Sequence, residues 1–182
     1  LDFEPKIIYS LPFLSVIDQN YSVFENVFES VEENTPTTDT LLKHHHLTDV
    51  FYSTDDDEFK EDRALFMIEG WNSEIIVTTF IQLFHTIISR RNRSLRKFHN
   101  LANSIIILDE VQSIPHEYWL LLKEVLSAIS RHFNTYFIFI TATQPLIFDE
   151  QEKEISELVE NKNHYFEQLN RIELQYNPDS LH

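Results

Sequence analysis

Two acidic residues, Asp109 and Glu110, directly follow the apolar run Ile105-Ile106-Ile107-Leu108. A short run of that kind reads as a buried strand, so both carboxyl groups stand where the strand leaves the core. A hard cation such as Mg²⁺ keeps several of its waters, and one carboxylate can hold it through that hydration shell. Asp109 suits that part. The next carboxylate, Glu110, can orient or deprotonate an attacking water. Phosphoryl transfer asks a protein mostly for positioning and charge stabilisation, and this pair offers both. Two acids after a strand equally suit a solvated loop. Further along, Thr141-Ala142-Thr143-Gln144-Pro145 follows another apolar run, Thr135–Ile140. Its hydroxyls suit either a site or plain capping of a turn before Pro145.

Such residues need a scaffold, and the composition provides for one. The chain has 182 residues, 42% hydrophobic and 13% aromatic, enough for a packed core and too apolar for wholesale disorder. Fourteen basic residues face 30 acidic ones, a net charge of -16, which excludes general nucleic-acid binding through the overall field. The only glycine is Gly70, so no glycine-rich phosphate loop and no dinucleotide-binding turn lies within the chain. Cysteine is absent, which excludes disulfides, thiolate metal sites and a cysteine nucleophile. No apolar run approaches the ~20 residues of a membrane span. The opening Leu1-Asp2-Phe3-Glu4 has no signal-peptide character, and the missing initiating methionine fits a processed chain or a piece of a longer one.

Four apolar runs, Lys6–Tyr9, Glu74–Thr78, Ser104–Leu108 and Thr135–Ile140, read as parallel strands covered on both faces. Helical stripes lie between them. Phe13, Ile17, Phe24, Phe28 and Val31 form one; Tyr118, Leu122, Val125, Ile129 and Phe133 form another, with Pro115 near its first turn. Shorter helices are expected over Phe80–Ser89 and Leu95–Ala102. Strands alternating with helices predict an α/β domain built on a parallel sheet. Residues 32–62, acidic and poor in apolar side chains, read as an exposed insertion with a helix beginning near Glu58. The tail from Gln151 reads as a helix, a loop and a last strand at Arg171–Gln175. Ligands bind beyond the carboxyl ends of parallel strands, which brings Pro12, Thr79, Gln82, Asp109 and Thr141 to one edge. The charge is also uneven: residues 71–108 hold one acid, Glu74, and five bases, Arg90, Arg91, Arg93, Arg96 and Lys97.

The apolar strand ending in Asp109-Glu110 is the Walker B arrangement. Asp109-Glu110-Val111-Gln112 together with Thr141-Ala142-Thr143-Gln144-Pro145 resembles motifs II and III of superfamily 2 helicases. Gln112 and the Gln144-Pro145 pair narrow the resemblance to the helicase part of the CRISPR-associated helicase–nuclease of type I systems. Ile7 through Asn20 is similar to that family's motif Ia, and Ile75 through Phe84 to the segment around its motif Ib. Arg93 through Asn100 is similar to the basic stretch leading into motif II, and Leu169 through Leu174 to the link toward a second motor domain.

The resemblance implies a RecA-like parallel sheet flanked by helices, here incomplete, since the phosphate-loop strand and helix are missing. It implies a partial first motor domain over 1–170, with 32–62 as the acidic insertion and 171–182 as the start of the link. Asp109 and Glu110 would be catalytic, with Asp109 holding Mg²⁺ through water. Gln112, Thr141 and Thr143 would couple the nucleotide state to domain movement. Pro12, Ser15, Thr78, Thr79, Gln82, Arg93 and Arg96 would touch single-stranded DNA. ATP and Mg²⁺ are the implied cofactors. The implied partners are single-stranded DNA, a guide-RNA surveillance complex, and the second motor and nuclease domains of the parent. The implied location is the cytoplasm, with no membrane attachment. The fragment alone is expected to be inactive, lacking the phosphate loop and the arginines of the second motor domain.

Blander readings stand beside these. The arginine cluster suits a solvated face. His44-His45-His46 tempts a metal assignment, but three residues in a row rarely share one metal, so none is assigned. Trp71 and Trp119 read as core or partner-facing. A non-enzymatic module with an acidic binding face, or a motor of another superfamily 2 family, would account for parts of the same pattern.

Overall fold

β-branched and aromatic residues dominate the short apolar runs, and these pair into a five-stranded sheet. The computed structural model describes residues 4–32, 35–45, 53, 61–142, 155–159, 161, 164, 165 and 168. The strands are β1 (Lys6–Leu11), β2 (Leu41–His44), β3 (Ile75–Thr79), β4 (Ser104–Asp109) and β5 (Tyr136–Ile140). Their order across the sheet is β2-β3-β1-β4-β5, and every described pairing is parallel. The helices are α1 (Leu14–Glu32), α2 (Glu61–Gly70), α3 (Phe80–Ile88), α4 (Asn92–Phe98) and α5 (Trp119–Phe133). The predicted parallel α/β architecture is therefore present.

Local chemistry sets the element ends. Pro12 stops β1, because it has no N–H for a ladder bond. Thr79 ends β3 and caps α3, its hydroxyl accepting the Gln82 N–H at 3.2 Å. Asn134, left-handed at φ 53°, closes α5, and Asn103 at φ 53° turns the chain into β4. The side chain of Asn134 donates to Asn103 Oδ1 at 2.9 Å and ties the two turns together.

Helix α1 packs against β1, β2 and β3. Its Ile17 is fully buried among Tyr9, Leu11, Leu41 and Val77, with Phe24, Phe28 and Tyr21 partly buried around them. Phe13 and Val31, read as part of this stripe, are exposed. Phe13 precedes the first helical turn and Val31 lies in the last, so the middle of the helix carries the packing. On α5 the buried residues are Leu122, Leu126 and Ile129. Leu126 is buried and the expected Val125 only half-buried; both stand at helical spacing from Leu122 and Ile129.

Two further expectations are corrected. Residues 32–62 are not exposed throughout: Leu41–His44 forms β2, with Leu41 and Leu42 buried. Two leucines between threonines and histidines are too few for a periodic signal, and the sheet supplies the rest. Of the helix expected near Glu58, the described part is Glu61–Gly70; Glu58 itself lies outside the described residues. Nor are all strands covered on both faces. Along β4, Ser104, Ile106 and Leu108 are buried while Ile105, Ile107 and Asp109 are only half-buried. Helix α1 covers the neighbouring strands on that side, so β4 and β5 keep a partly open face among the described residues.

Trp71 is fully buried, as expected, at left-handed φ 56° after α2. Its indole N–H donates to His44 Nδ1 at 3.0 Å, which makes His44 a buried hydrogen-bond acceptor. His46 and Arg171–Gln175 lie outside the described residues, as does the whole of 171–182. The chain divides into two compact units, Leu1–Ile147 and Phe148–His182. In the second, Gln168 Nε2 lies 3.0 Å from His164 Nε2. No helix among the described residues is long and apolar enough to cross a membrane.

Ile17 tests the placement of α1. Ile17→Ala should destabilise the first unit by about 2–5 kcal/mol in denaturant unfolding followed through Trp71 fluorescence. A loss below about 1 kcal/mol would remove α1 from the core.

Candidate functional site

Parallel strands share one carboxyl edge. Leu11 is level with Thr79, Ser10 with Leu108, and Asp109 with Ile140. Pro12, Thr79, Asp109 and Thr141 therefore gather at the same edge, each just at or after a strand end, and Ser15 is exposed in the first turn of α1. At Asp109 the chain leaves β4 and turns at Glu110, which is left-handed at φ 57°, ψ 41°. A non-glycine residue held there costs on the order of 1–3 kcal/mol and persists only where its surroundings impose it. Val111, buried beside it, anchors the following turn, Val111–Ser113, and leaves the Glu110 carboxylate exposed at the edge.

Three side chains from two loops then join. The Thr141 hydroxyl donates to Gln112 Oε1 at 2.6 Å. The Gln112 amide N–H₂ donates in turn to the Glu110 carboxylate. One neutral amide thus bridges a hydroxyl after β5 and an acid after β4. Rotating Glu110 or moving the Thr141 loop disturbs the other through Gln112. Thr143 lies outside the described residues, as does Gln144-Pro145.

Asp109 is half-buried and accepts a hydrogen bond from the Tyr9 hydroxyl. Residues two apart on a strand share a face, and Tyr9 is level with Ile107. Tyr9, Ile107 and Asp109 therefore lie on one face, and the long phenol spans the offset. Burial pushes the Tyr9 phenol above its ordinary range, helped by the hydrogen bond to Asp109 and the charges of Asp109 and Glu110. The sequence reading missed Tyr9 as a site residue. Nothing in the chain order places it beside Asp109 until the β1–β4 register is known.

The donor set fits a hydrated cation. Among the described residues no three His, Asp or Glu side chains converge into a protein cage. A single strand-end carboxylate beside a second acid is what a water-rich Mg²⁺ requires when phosphates supply other ligands. The phosphate cradle is another matter. Gly70, the only glycine, ends helix α2 with no positive φ, so the chain has acids suited to such a site but no glycine-rich phosphate loop.

The residues read as DNA contacts divide. Thr78 is fully buried and donates its hydroxyl to the His44 carbonyl at 2.7 Å. The Gln82 side chain accepts from the Lys97 ammonium at 3.1 Å. Lys97, counted in the basic island, is only 4% exposed and lies 5.1 Å above the Trp71 ring. It is an interior cation between α3 and α4, which corrects its reading as part of a basic surface. Arg96 lies 3.6 Å from Glu69 and over the Phe66 ring, with half of its side chain exposed. Arg90 and Arg91 are exposed. The α4 backbone carries Arg93.

Comparison with known proteins adds an independent observation. Residues 2–152 match the family described as DEAD/DEAH box helicase. The chain is 31% identical over 153 residues to the CRISPR-associated nuclease/helicase Cas3 of Haloferax volcanii, covering 80% of this chain and 16% of that protein. The crystal structure of T. fusca Cas3 superposes with a TM-score of 0.59 at 17% identity, over 76% of this chain and 16% of that one. Its ATP complex gives a TM-score of 0.57 at 18% identity, over 74% and 15%. The AMPPNP complex gives 0.57 at 20% identity, over 78% and 16%. At these identities the structures speak for the fold. The chain spans about a sixth of the length of the relatives it matches.

The hydrogen-bonded bridge can be tested without an activity assay. Thr141→Val and Gln112→Leu should each cost about 1 kcal/mol in unfolding free energy. The double variant should cost less than the sum by at least ~0.5 kcal/mol. Strict additivity would mean that the two residues do not act together.

Proposed function

The chain belongs to the DEAD/DEAH box helicase family, and from that premise we propose that it is the acid-bearing part of a motor domain in an ATP-driven translocase on single-stranded DNA. The observation that carries the reading is the Thr141–Gln112–Glu110 hydrogen-bonded chain at the carboxyl edge, one residue from Asp109. It links the acid suited to activating water with the loop after the next strand. A nucleotide-dependent motor needs such a link between chemistry and movement.

In this reading Asp109 holds Mg²⁺ through its waters, and Mg²⁺, when bound, neutralises charge developing on the phosphates. Glu110 orients the attacking water and takes its proton. Gln112 keeps the Glu110 carboxylate in place and reports its state to Thr141, with Thr143 two residues further along the chain. ATP is the cofactor. The remaining phosphate contacts come from outside these residues: a glycine-rich loop and a second motor domain in the parent protein. We assign residues 1–170 to the first motor domain and 171–182 to the link beyond it. The 182-residue chain alone would then hydrolyse ATP poorly, since those groups provide much of the transition-state stabilisation.

Single-stranded DNA would cross the same edge. Ser15, exposed in the first turn of α1, is the residue best presented for phosphate contact, with Pro12 beside it able to give only van der Waals contact; Thr79 is buried and caps the N-terminus of α3, whose dipole faces the same edge. Thr78 is fully buried between two strands and the Gln82 N–H is already bonded to Thr79, so both would support that edge from behind. Arg93 and Arg96 offer the positive charge that the rest of a -16 chain lacks. Likeness to Cas3 supports a role in CRISPR interference. The guide-RNA complex would bring the protein to its target, a nuclease domain would act alongside the motor, and the cytoplasm would be the site of action.

Glu110 provides the test. In the full-length protein Glu110→Gln should bind ATP as the unaltered protein does, while DNA-stimulated hydrolysis falls by about 10²–10⁴-fold. An amide keeps shape and hydrogen bonding but cannot take a proton. Equal losses of binding and turnover would make Glu110 structural.

A further inference from the structure

Asp109 has a neighbour to which the sequence reading gave no role. Tyr9, on the adjacent strand, is 8% exposed, and its ring meets Phe24 edge-on at a centroid distance of 5.5 Å and an angle of 67°. The ring is wedged in the α1 core with Leu11, Ile17, Leu41 and Val77 and cannot swing without opening it. Its hydroxyl has one proton and two acceptors within reach. Asn20 Oδ1 lies at 3.5 Å; the Asp109 carboxylate is much nearer and takes the bond. The Asn20 side chain is itself held, donating to the Val16 carbonyl at 2.9 Å. A line of fixed groups thus runs from α1 through Tyr9 to the acid at the end of β4.

We propose that Tyr9 is the positioning residue of Asp109: its hydroxyl occupies one carboxylate oxygen and leaves the other for a water of a hydrated divalent cation. The proposal rests on the reading of Asp109 as the Mg²⁺-holding acid. A strand-end aspartate can otherwise turn about its last torsion, which is broad and two-fold. A cation held through water depends on the direction of the carboxylate as well as its charge, and groups behind a ligand typically set metal affinity by 10–100-fold. The Tyr9 hydroxyl is the only hydrogen-bond partner of the Asp109 carboxylate among the described residues. It comes from the central strand, so the acid is aligned to the sheet and not to its own loop.

The test uses the full-length protein, ADP and Mn²⁺, whose binding is read by electron paramagnetic resonance. Tyr9→Phe removes one oxygen and keeps the ring. It should raise the Mn²⁺ dissociation constant about tenfold, with the melting temperature and single-stranded DNA affinity little changed. Asp109→Asn, measured beside it, should abolish the Mn²⁺ site. An unchanged or tighter Mn²⁺ affinity in Tyr9→Phe, with Asp109→Asn still losing the site, overturns the role of Tyr9 and leaves the function standing. A lowered melting temperature with unchanged Mn²⁺ affinity also overturns it, making Tyr9 a core residue alone. Full Mn²⁺ binding by Asp109→Asn overturns both readings.

Discussion

β1 is hydrogen-bonded on both sides to strands running in its own direction, and the site depends on that register. Ser10 level with Leu108 and Leu11 level with Thr79 fix where β3 and β4 end relative to the central strand. The ends of β3, β4 and β5 then lie on one edge, and residues far apart in the chain become neighbours there. A slip of one residue between β1 and β4 would turn every side chain of β4 to the other face. Asp109 would leave the side of Tyr9. The packing of Ile17 and Phe24 on Tyr9, Leu11 and Val77 is therefore also what holds the acid in place.

The edge brings like charges together in a chain already at -16. Asp109 and Glu110 are adjacent, and Glu110 sits in a strained backbone conformation. Each cost has a local answer. Tyr9 gives Asp109 a donor, and Gln112 gives Glu110 one. Neither answer is a cation. The acids are thus satisfied as hydrogen-bond acceptors while their charge is left uncompensated by any described ion pair, which suits a site that takes up a divalent cation with its substrate. On the far side of the sheet the logic is reversed. Lys97 is buried against Trp71 and Gln82, where its charge serves packing between helices rather than a ligand.

How much of this could be read from the residues depended on range. The four strong strands were legible because Ile, Val, Phe and Tyr run together in each. The positions of Asp109, Glu110 and Thr141 at the carboxyl edge were legible because strand-end residues stand next to those runs. Leu41–His44 was not, since two leucines carry no period and their burial comes from β3, 34 residues on. Lys97 was misread for a related reason. Beside four arginines it looks like surface, and only the packing of α3 against α4 turns it inward. Gln112 was found as a motif position, while its bridge between Thr141 and Glu110 is a property of the folded edge. Tyr9 was invisible, because what marks it is a partner 100 residues away.

The account stands on one claim: the carboxyl edge at Asp109 and Glu110 is the metal end of a nucleotide site completed by other parts of the protein. The most direct measurement is a crystal structure of the full-length protein with AMPPNP and Mn²⁺, with data collected at the manganese edge. The account predicts an anomalous peak separated from the Asp109 carboxylate by no more than one water, with the terminal phosphate facing Glu110. A bound nucleotide whose metal lies elsewhere, with Asp109 still facing only Tyr9, would contradict it.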